Sequence, residues 1–215
     1  MKILVTGFEP FNGATVNPSQ LIVNSLEAPR GEALIKEILP VEFKNVTVRL
    51  QELLAEHKPD VVVSIGQAGN RPEICVERVA INLDNTRSSN GKTIRPDNAG
   101  YAPVDEQIFP DGAPAYFSNF PVWDMVDAIQ EQGIQGAASY SAGTYVCNHV
   151  MYTVLYEVEQ NYPEMKAGFI HVPFLPEQLE GRDDKRQGYS MPLQNMIEGV
   201  QAALNILWDA PWKEM

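Results

Sequence analysis

Two cysteines, Cys75 and Cys147, and three histidines, His57, His149 and His171, are the side chains here best suited to nucleophilic or proton-transfer chemistry near neutral pH. Cys147 has the more suggestive context. The segment Ser139-Tyr140-Ser141-Ala142-Gly143-Thr144-Tyr145-Val146-Cys147-Asn148 reads as a strand end, a turn of small residues, and a helix with Cys147 in its first turn. Helix N-termini carry unpaired N–H groups and the positive end of the helix dipole. A thiol there is expected to have a lowered pKa and more thiolate, and the same N–H groups can hold an oxyanion. The plainer alternative is a small buried apolar residue, the common fate of a free cysteine. Cys75, mid-strand and away from a helix end, fits that description better.

A cysteine nucleophile needs a base. His149 follows Cys147 by two positions on the same helix and so points to a different face. His57 precedes Lys58-Pro59 at a helix end, where it is expected to be solvated. His171 follows Ala167-Gly168-Phe169-Ile170, at the carboxyl end of a strand, on the rim expected to hold Cys147. A third group comes from the segment Ile74 to Leu83, read as one strand. Alternation puts Cys75, Glu77, Val79, Ile81 and Leu83 on one face. Glu77 is the only charge there, and a buried carboxylate requires a partner. Either it pairs with Arg49 or Arg78, or it orients a histidine. Elimination leaves Cys147, His171 and Glu77 as the candidate triad.

Three loops could border such a site. Thr6-Gly7-Phe8-Glu9-Pro10-Phe11-Asn12-Gly13 sets two phenylalanines in a polar turn, where they either fold back on the core or wall an apolar pocket. Gly66-Gln67-Ala68-Gly69 lacks both the Lys-Ser/Thr of a nucleotide loop and the third glycine of a dinucleotide fingerprint. It reads as a tight turn bringing backbone donors near a ligand. The segment from Asp84 to Pro114 is rich in Asn, Gly, Pro and Asp. It is long enough to be functional or partly built of hairpins. Its first part, to Pro103, is expected to be a mobile flap bringing Arg87 or Arg95 to the pocket, or else a solvated hairpin.

The elements that must position these residues alternate along the chain. Strands are expected at Ile3–Val5, Ala33 to Leu39, Val61 to Gly66, Gly136 to Ser139 and Ala167 to Val172. Helices are expected after Asn17-Pro18, from Phe43 to before Lys58-Pro59, from Val122 to Gln132, from Tyr145 to Gln160, and from about Pro192 onward. A polar loop separates Pro173 from Tyr189. Such alternation implies an α/β fold, a mostly parallel sheet with helices on both faces and a ligand site at the strands' carboxyl ends. With no repeat or linker, residues 1–215 read as a single catalytic domain.

Sixteen basic against 28 acidic residues give a net charge of -12, which disfavours nucleic-acid backbones and anionic membranes. No apolar run has the length of a membrane span. Met1-Lys2-Ile3-Leu4-Val5 reads as a first strand and not as a secretory leader. Two cysteines without a leader are expected to be reduced thiols in the cytoplasm.

On these residues the chain resembles the pyroglutamyl-peptidase I family, the pyrrolidone-carboxylate peptidases, over nearly its whole length. The family's glutamate signature is matched by Gly66, Gly69, Ile74, Glu77-Arg78-Val79-Ala80 and Asn82. Its cysteine signature is matched by Ser139, Ser141-Ala142-Gly143, Tyr145, Val146, Cys147 and Asn148. Its histidine segment is matched by Phe169-Ile170-His171-Val172-Pro173-Phe174-Leu175-Pro176, and Gly7-Phe8-Glu9-Pro10-Phe11 matches its opening. Cys75 stands where that signature usually has Ser or Thr.

The resemblance implies a three-layer α/β/α sandwich and a cytosolic cysteine peptidase that removes an N-terminal pyroglutamyl residue from peptides. It implies Cys147 as nucleophile, His171 as base and then acid, and Glu77 as the residue orienting His171. Phe8, Phe11, Gln67, Tyr145 and Val146 would line the lactam pocket. Arg87 would sit near the oxyanion, although Ser88 to Ile94 is longer than the family's segment, and Ile94-Arg95-Pro96-Asp97-Asn98 is the other candidate. Homo-oligomers, dimers or tetramers, are implied as well. The acyl-transfer chemistry calls for no metal and no cofactor. Its rivals are a different small-amide hydrolase on the same triad and a binding module with a silent triad.

Overall fold

Successive side chains of a strand face opposite ways, and the strands of this protein feed a core on each side. The computed structural model describes residues 1–29, 31–88, 90–180 and 188–209. In chain order it holds β1 (Lys2–Phe8), α1 (Pro18–Ser25), β2 (Ala33–Leu39), α2 (Phe43–His57), β3 (Val61–Gln67), β4 (Ile74–Glu77), β5 (Val79–Ile81) and β6 (Ala115–Phe117). Then come α3 (Val122–Glu131), β7 (Gly136–Ser139), α4 (Val146–Gln160), β8 (Lys166–Val172), a 3-10 turn (Pro176–Gln178) and α5 (Leu193–Asp209). The loop expected from Pro173 to Tyr189 lies partly, at 181–187, outside the described residues, as does Ser89.

Six strands form the central sheet in the order β2-β1-β3-β8-β4-β7. Ile3, Val5, Val61, Val63, Ile65, Ile170 and Val172 enter one core, under α1, α3 and α5. Leu4, Val62, Ala167 and Phe169 enter the other, under α2 and α4. The result is the expected α/β/α arrangement. Among the described residues no helix is long and apolar enough to cross a membrane.

Local chemistry sets several boundaries. Asn17 Oδ1 accepts from Ser19 N at 3.1 Å and Pro18 opens α1. Lys58 takes a left-handed conformation, φ 45°, and stops α2 ahead of Pro59. At its other end α2 has no cap from Glu42. Asp97, brought in from the long loop, accepts from Phe43 N at 3.0 Å instead.

Two expectations are corrected. Ile74 to Leu83 is not one strand. Arg78 N donates to Ser139 O at 2.7 Å while its own carbonyl accepts from Ser118 N at 2.9 Å, and the chain peels off the sheet there. β5 pairs instead with β6, an unanticipated strand of three residues, in a separate two-stranded sheet. The shared-face argument therefore holds for Cys75 and Glu77 and fails beyond them. The second correction is of direction. Every pairing in the sheet is parallel except β4 with β8, so β4 and β7 run against the other four. His171 and Cys147 do not follow strands that end on one common rim.

Among its described residues the segment 84–114 holds two isolated bridges, Asp84–Glu106 and Arg87–Ile94, before β6 begins. It is fastened down by Thr86 N to Pro103 O (2.9 Å) and Asn98 N to Val41 O (2.9 Å), besides Asp97.

Candidate active site

The two cores show which side chains can meet. Ile65, Ile74, Val76, Ile170 and Val172 face α1, α3 and α5. By alternation Gly66, Cys75, Glu77 and His171 face the α2/α4 side. Gly66 and Cys75 are the register partners of His171 on either side of β8. The turn after β7 carries the chain back over this face, through Gly143 at φ 83°, to the start of α4.

Close approach explains the glycines of the Gly66–Gly69 turn. A Cβ on Gly66 would lie 2.9 Å from Cys147 Sγ and 2.7 Å from the Phe169 ring. One on Gly69 would lie 1.8 Å from the Phe174 ring. These glycines admit a thiol and an aromatic ring.

His171 Nδ1 lies 2.7 Å from Glu77 Oε1, with both residues buried. Cys147, half-buried, and His171 line one cavity of about 610 Å³. Glu77 has a second partner that spacing did not disclose. Arg71 Nη1 donates to Glu77 Oε1 at 2.5 Å and to Ser139 Oγ at 2.9 Å, and Nη2 donates to Ser141 O at 2.6 Å. The arginines first considered are engaged elsewhere: Arg49 with Glu37 and Glu52, Arg78 with Ser118 O. Glu77 thus contacts a histidine, and its arginine partner is Arg71 in place of Arg49 or Arg78. The other histidines stand apart from the cavity. His57 lies beside Glu56, and His149 is buried between Asp84 (2.8 Å) and Thr47 (2.6 Å).

Burial works against the charge on Glu77, but the bond and charge of His171, then Ser139 and Arg71, outweigh it and hold the carboxyl below its ordinary range. For Cys147 the balance falls the other way. Burial pushes the thiol up to about 12 and Glu77 adds to it, while Arg71 and the residue's own N–H offset only part. The expected lowering by the helix end is therefore overturned, because desolvation exceeds the dipole's effect. Cys147 rests as the thiol. Burial raises Cys75 as well.

No side chain caps α4. The first backbone bond of the helix is His149 N to Tyr145 O, and among the described residues none accepts from the amides of Cys147 or Asn148. The Asn148 side chain fixes this helix end by gripping β5: Oδ1 accepts from Ile81 N at 2.9 Å and Nδ2 donates to Ile81 O at 2.9 Å.

Beside Cys147 lies a narrow recess walled by Phe8, Phe11, Val41, Tyr145 and Val146, with Asn17 and Gln67 as its polar members. Phe11, Gln67, Tyr145 and Cys147 border both recess and cavity. The five residues named for the pocket from the resemblance are therefore brought together. Val41 and Asn17 were missed; Val41 carried no signal, and Asn17 was legible only as a helix cap. Tyr145 meets Phe43 edge-on with centroids 5.4 Å apart and donates to Pro96 O at 2.9 Å. Arg95 lines the cavity, whereas Arg87 does not: its Nε donates to Gly91 O within its own turn.

A pyrrolidone-carboxylate peptidase from Staphylococcus aureus (strain bovine RF122 / ET3-1) is 47% identical over 210 residues, covering 97% of this chain and 94% of that protein. One from Thermosipho africanus is 45% identical, covering 96% of this chain and 97% of its own. Among solved structures, pyroglutamyl peptidase I from Bacillus amyloliquefaciens superposes with a TM-score of 0.85 at 38% identity, over 94% of this chain and 92% of its own. The pyrrolidone carboxyl peptidase of Thermococcus litoralis gives 0.89 at 35% identity, over 100% and 96%. The sequence profile of pyroglutamyl peptidases matches residues 1–209, and the chain belongs to the pyroglutamyl peptidase family.

Proposed function

We propose that this protein is a cysteine exopeptidase that releases an N-terminal pyroglutamyl residue from peptides. One observation carries the reading: Cys147, at an uncapped helix start, shares a cavity with His171, the partner of Glu77, and also borders a recess that is apolar except for two side-chain amides. A pyroglutamyl ring is an uncharged five-membered lactam and fits such a recess. A charged N-terminal amine would have to shed its hydration there with no carboxylate in the lining to balance it, which is expensive.

The chemistry follows from which atoms remain available. Nδ1 of His171 is held by Glu77, so Nε2 is left to exchange protons in the cavity. Because Cys147 rests as a thiol, Sγ gives its proton to Nε2 as it attacks the carbonyl that follows the ring. The oxyanion is received by the amides of Cys147 and Asn148. As the C–N bond breaks, the Nε2 proton passes to the leaving amine and a thioester remains. Water then gives a proton to Nε2 and attacks the thioester, and that proton returns to Sγ as free pyroglutamate departs. Glu77 keeps the imidazole oriented and balances its charge. A thiol mechanism requires Cys147 to stay reduced, which suits a cytoplasmic site of action.

The test is hydrolysis of pyroglutamyl-7-amino-4-methylcoumarin beside the alanyl and prolyl amides, before and after iodoacetamide. Turnover confined to the pyroglutamyl substrate and abolished by alkylation is expected. Equal turnover of the alanyl amide would instead mark a general small-amide hydrolase, and no turnover would mark a binding module.

A further inference from the structure

A carboxamide presents a donor at one end and an acceptor at the other, so its orientation decides what a ligand must offer. Gln67 is one of two amide side chains bordering the recess. The second, Asn17, is occupied: Oδ1 accepts from Ser19 N and Ser19 Oγ, and Nδ2 donates to Glu9 O. Gln67 is held at its oxygen, which accepts from Gln178 Nε2 at 3.0 Å. Among the described residues nothing accepts from Gln67 Nε2.

The direction of that bond is set by backbone. Leu175 N donates to Gln178 Oε1 at 2.8 Å, a contact that requires an oxygen. Val16 O accepts from Gln178 Nε2 at 3.3 Å, a contact that requires a nitrogen. Two main-chain groups thus fix the orientation of Gln178, and Gln178 in turn fixes that of Gln67. The amino group is the end of Gln67 left for a bound molecule.

We propose that Gln178 is a positioning residue for specificity: through Gln67 it supplies the recess with an N–H donor for the ring carbonyl of the substrate. This rests on the pyroglutamyl reading above and adds the device by which the lactam carbonyl is selected. That carbonyl takes no part in bond breaking, so the contact is equal in ground and transition states and belongs in KM.

Gln178→Glu tests it. The carboxylate still accepts from Leu175 N but offers no donor. It draws the amino group of Gln67 to itself and turns Gln67 Oε1 toward the ring carbonyl. KM for the coumarin substrate should rise about tenfold or more with kcat nearly unchanged, the scale of one lost hydrogen bond made repulsive. Calorimetry with two small rings provides a readout independent of turnover. The wild-type protein should bind 2-pyrrolidinone more tightly than pyrrolidine-2-thione, whose sulfur is a poor acceptor, and Gln178→Glu should erase that preference. Should that variant not fold, Gln178→Met takes its place and should reduce the preference. An unchanged KM with an unchanged lactam-to-thione ratio in a folded variant overturns the proposal, as does a loss confined to kcat or thermal stability. Wild-type protein that binds 2-pyrrolidinone with this preference yet hydrolyses no pyroglutamyl amide would overturn the peptidase reading alone.

Discussion

Arg71 and His171 share a single oxygen of Glu77, Arg71 Nη1 at 2.5 Å and His171 Nδ1 at 2.7 Å from Oε1. The same guanidinium holds Ser139 and Ser141, the residues that lead the chain toward Cys147. Arg71 therefore ties Glu77 to the segment that leads to Cys147. Arg71→Met removes one of the influences that lower the Glu77 pKa. Glu77 should then need a higher pH to ionise, and the acid limb of kcat/KM against pH should move upward. A variant that loses about 1–3 kcal/mol of stability while its acid limb stays in place would show Arg71 to be structural only.

Glu77→Gln should reduce kcat by about a hundredfold or more with little change in KM, as expected of a group that orients a base. Stability gives an independent reading. The folded pKa of Glu77 lies below its ordinary 4.5, so its ionised form contributes stability that is complete above that value and is lost as pH falls through the folded value. Urea melts of both proteins should differ at pH 7 and converge in acid. A gap that widens on acidification would contradict the assignment.

Cys147→Ser should fold normally and lose nearly all turnover, since a hydroxyl is far less nucleophilic in a site arranged for sulfur. In the wild-type protein the raised thiol pKa of about 12 sets the pattern of alkylation. Iodoacetamide labelling, followed by mass spectrometry, should still accelerate above pH 9, with no plateau near neutrality. Cys147 should react before Cys75, because it borders the cavity whereas Cys75 is buried in β4. A plateau near neutral pH would mean a standing thiolate.

Gly66→Ala places a methyl group 2.9 Å from Cys147 Sγ and 2.7 Å from the Phe169 ring. Overpacking of this kind costs about 1–3 kcal/mol. If the crowded sulfur is the nucleophile, as proposed, the fall in kcat should be much larger than that stability loss implies for the folded fraction. Normal kcat in a folded variant would show that Sγ has room to move without losing its geometry.

What was readable beforehand follows the range of the forces concerned. β2 and β7 were bounded to the residue, and α2, α3 and α4 nearly so, because alternation, helical periodicity, Asn17 and Lys58-Pro59 act within a few positions. The break at Arg78 was hidden, since its partners, Ser139 and Ser118, lie far along the chain. Arg71 gave no signal in its turn for the same reason. The helix dipole at Cys147 was legible and the desolvation that exceeds it was not, because desolvation depends on what tertiary packing lays over the sulfur. The resemblance named five recess residues that spacing alone had not joined, but it favoured Arg87, whereas Arg95 borders the cavity.

β8 arrives late in the sequence yet sits between β3 and β4, pairing Val61 with Lys166 on one side and Cys75 with His171 on the other. Until residues 166–172 have been made and inserted, the sheet has a gap at its centre and Glu77 faces no imidazole. Contacts so distant along the chain close slowly, and the central strand brings His171, the proposed base, with it. Hydrolytic competence is thus coupled to completion of the fold: a growing or partly refolded chain has Cys147 but no Glu77–His171 pair to work with it. Recovery of turnover after dilution from urea should follow the slowest phase of tryptophan fluorescence and precede none of it.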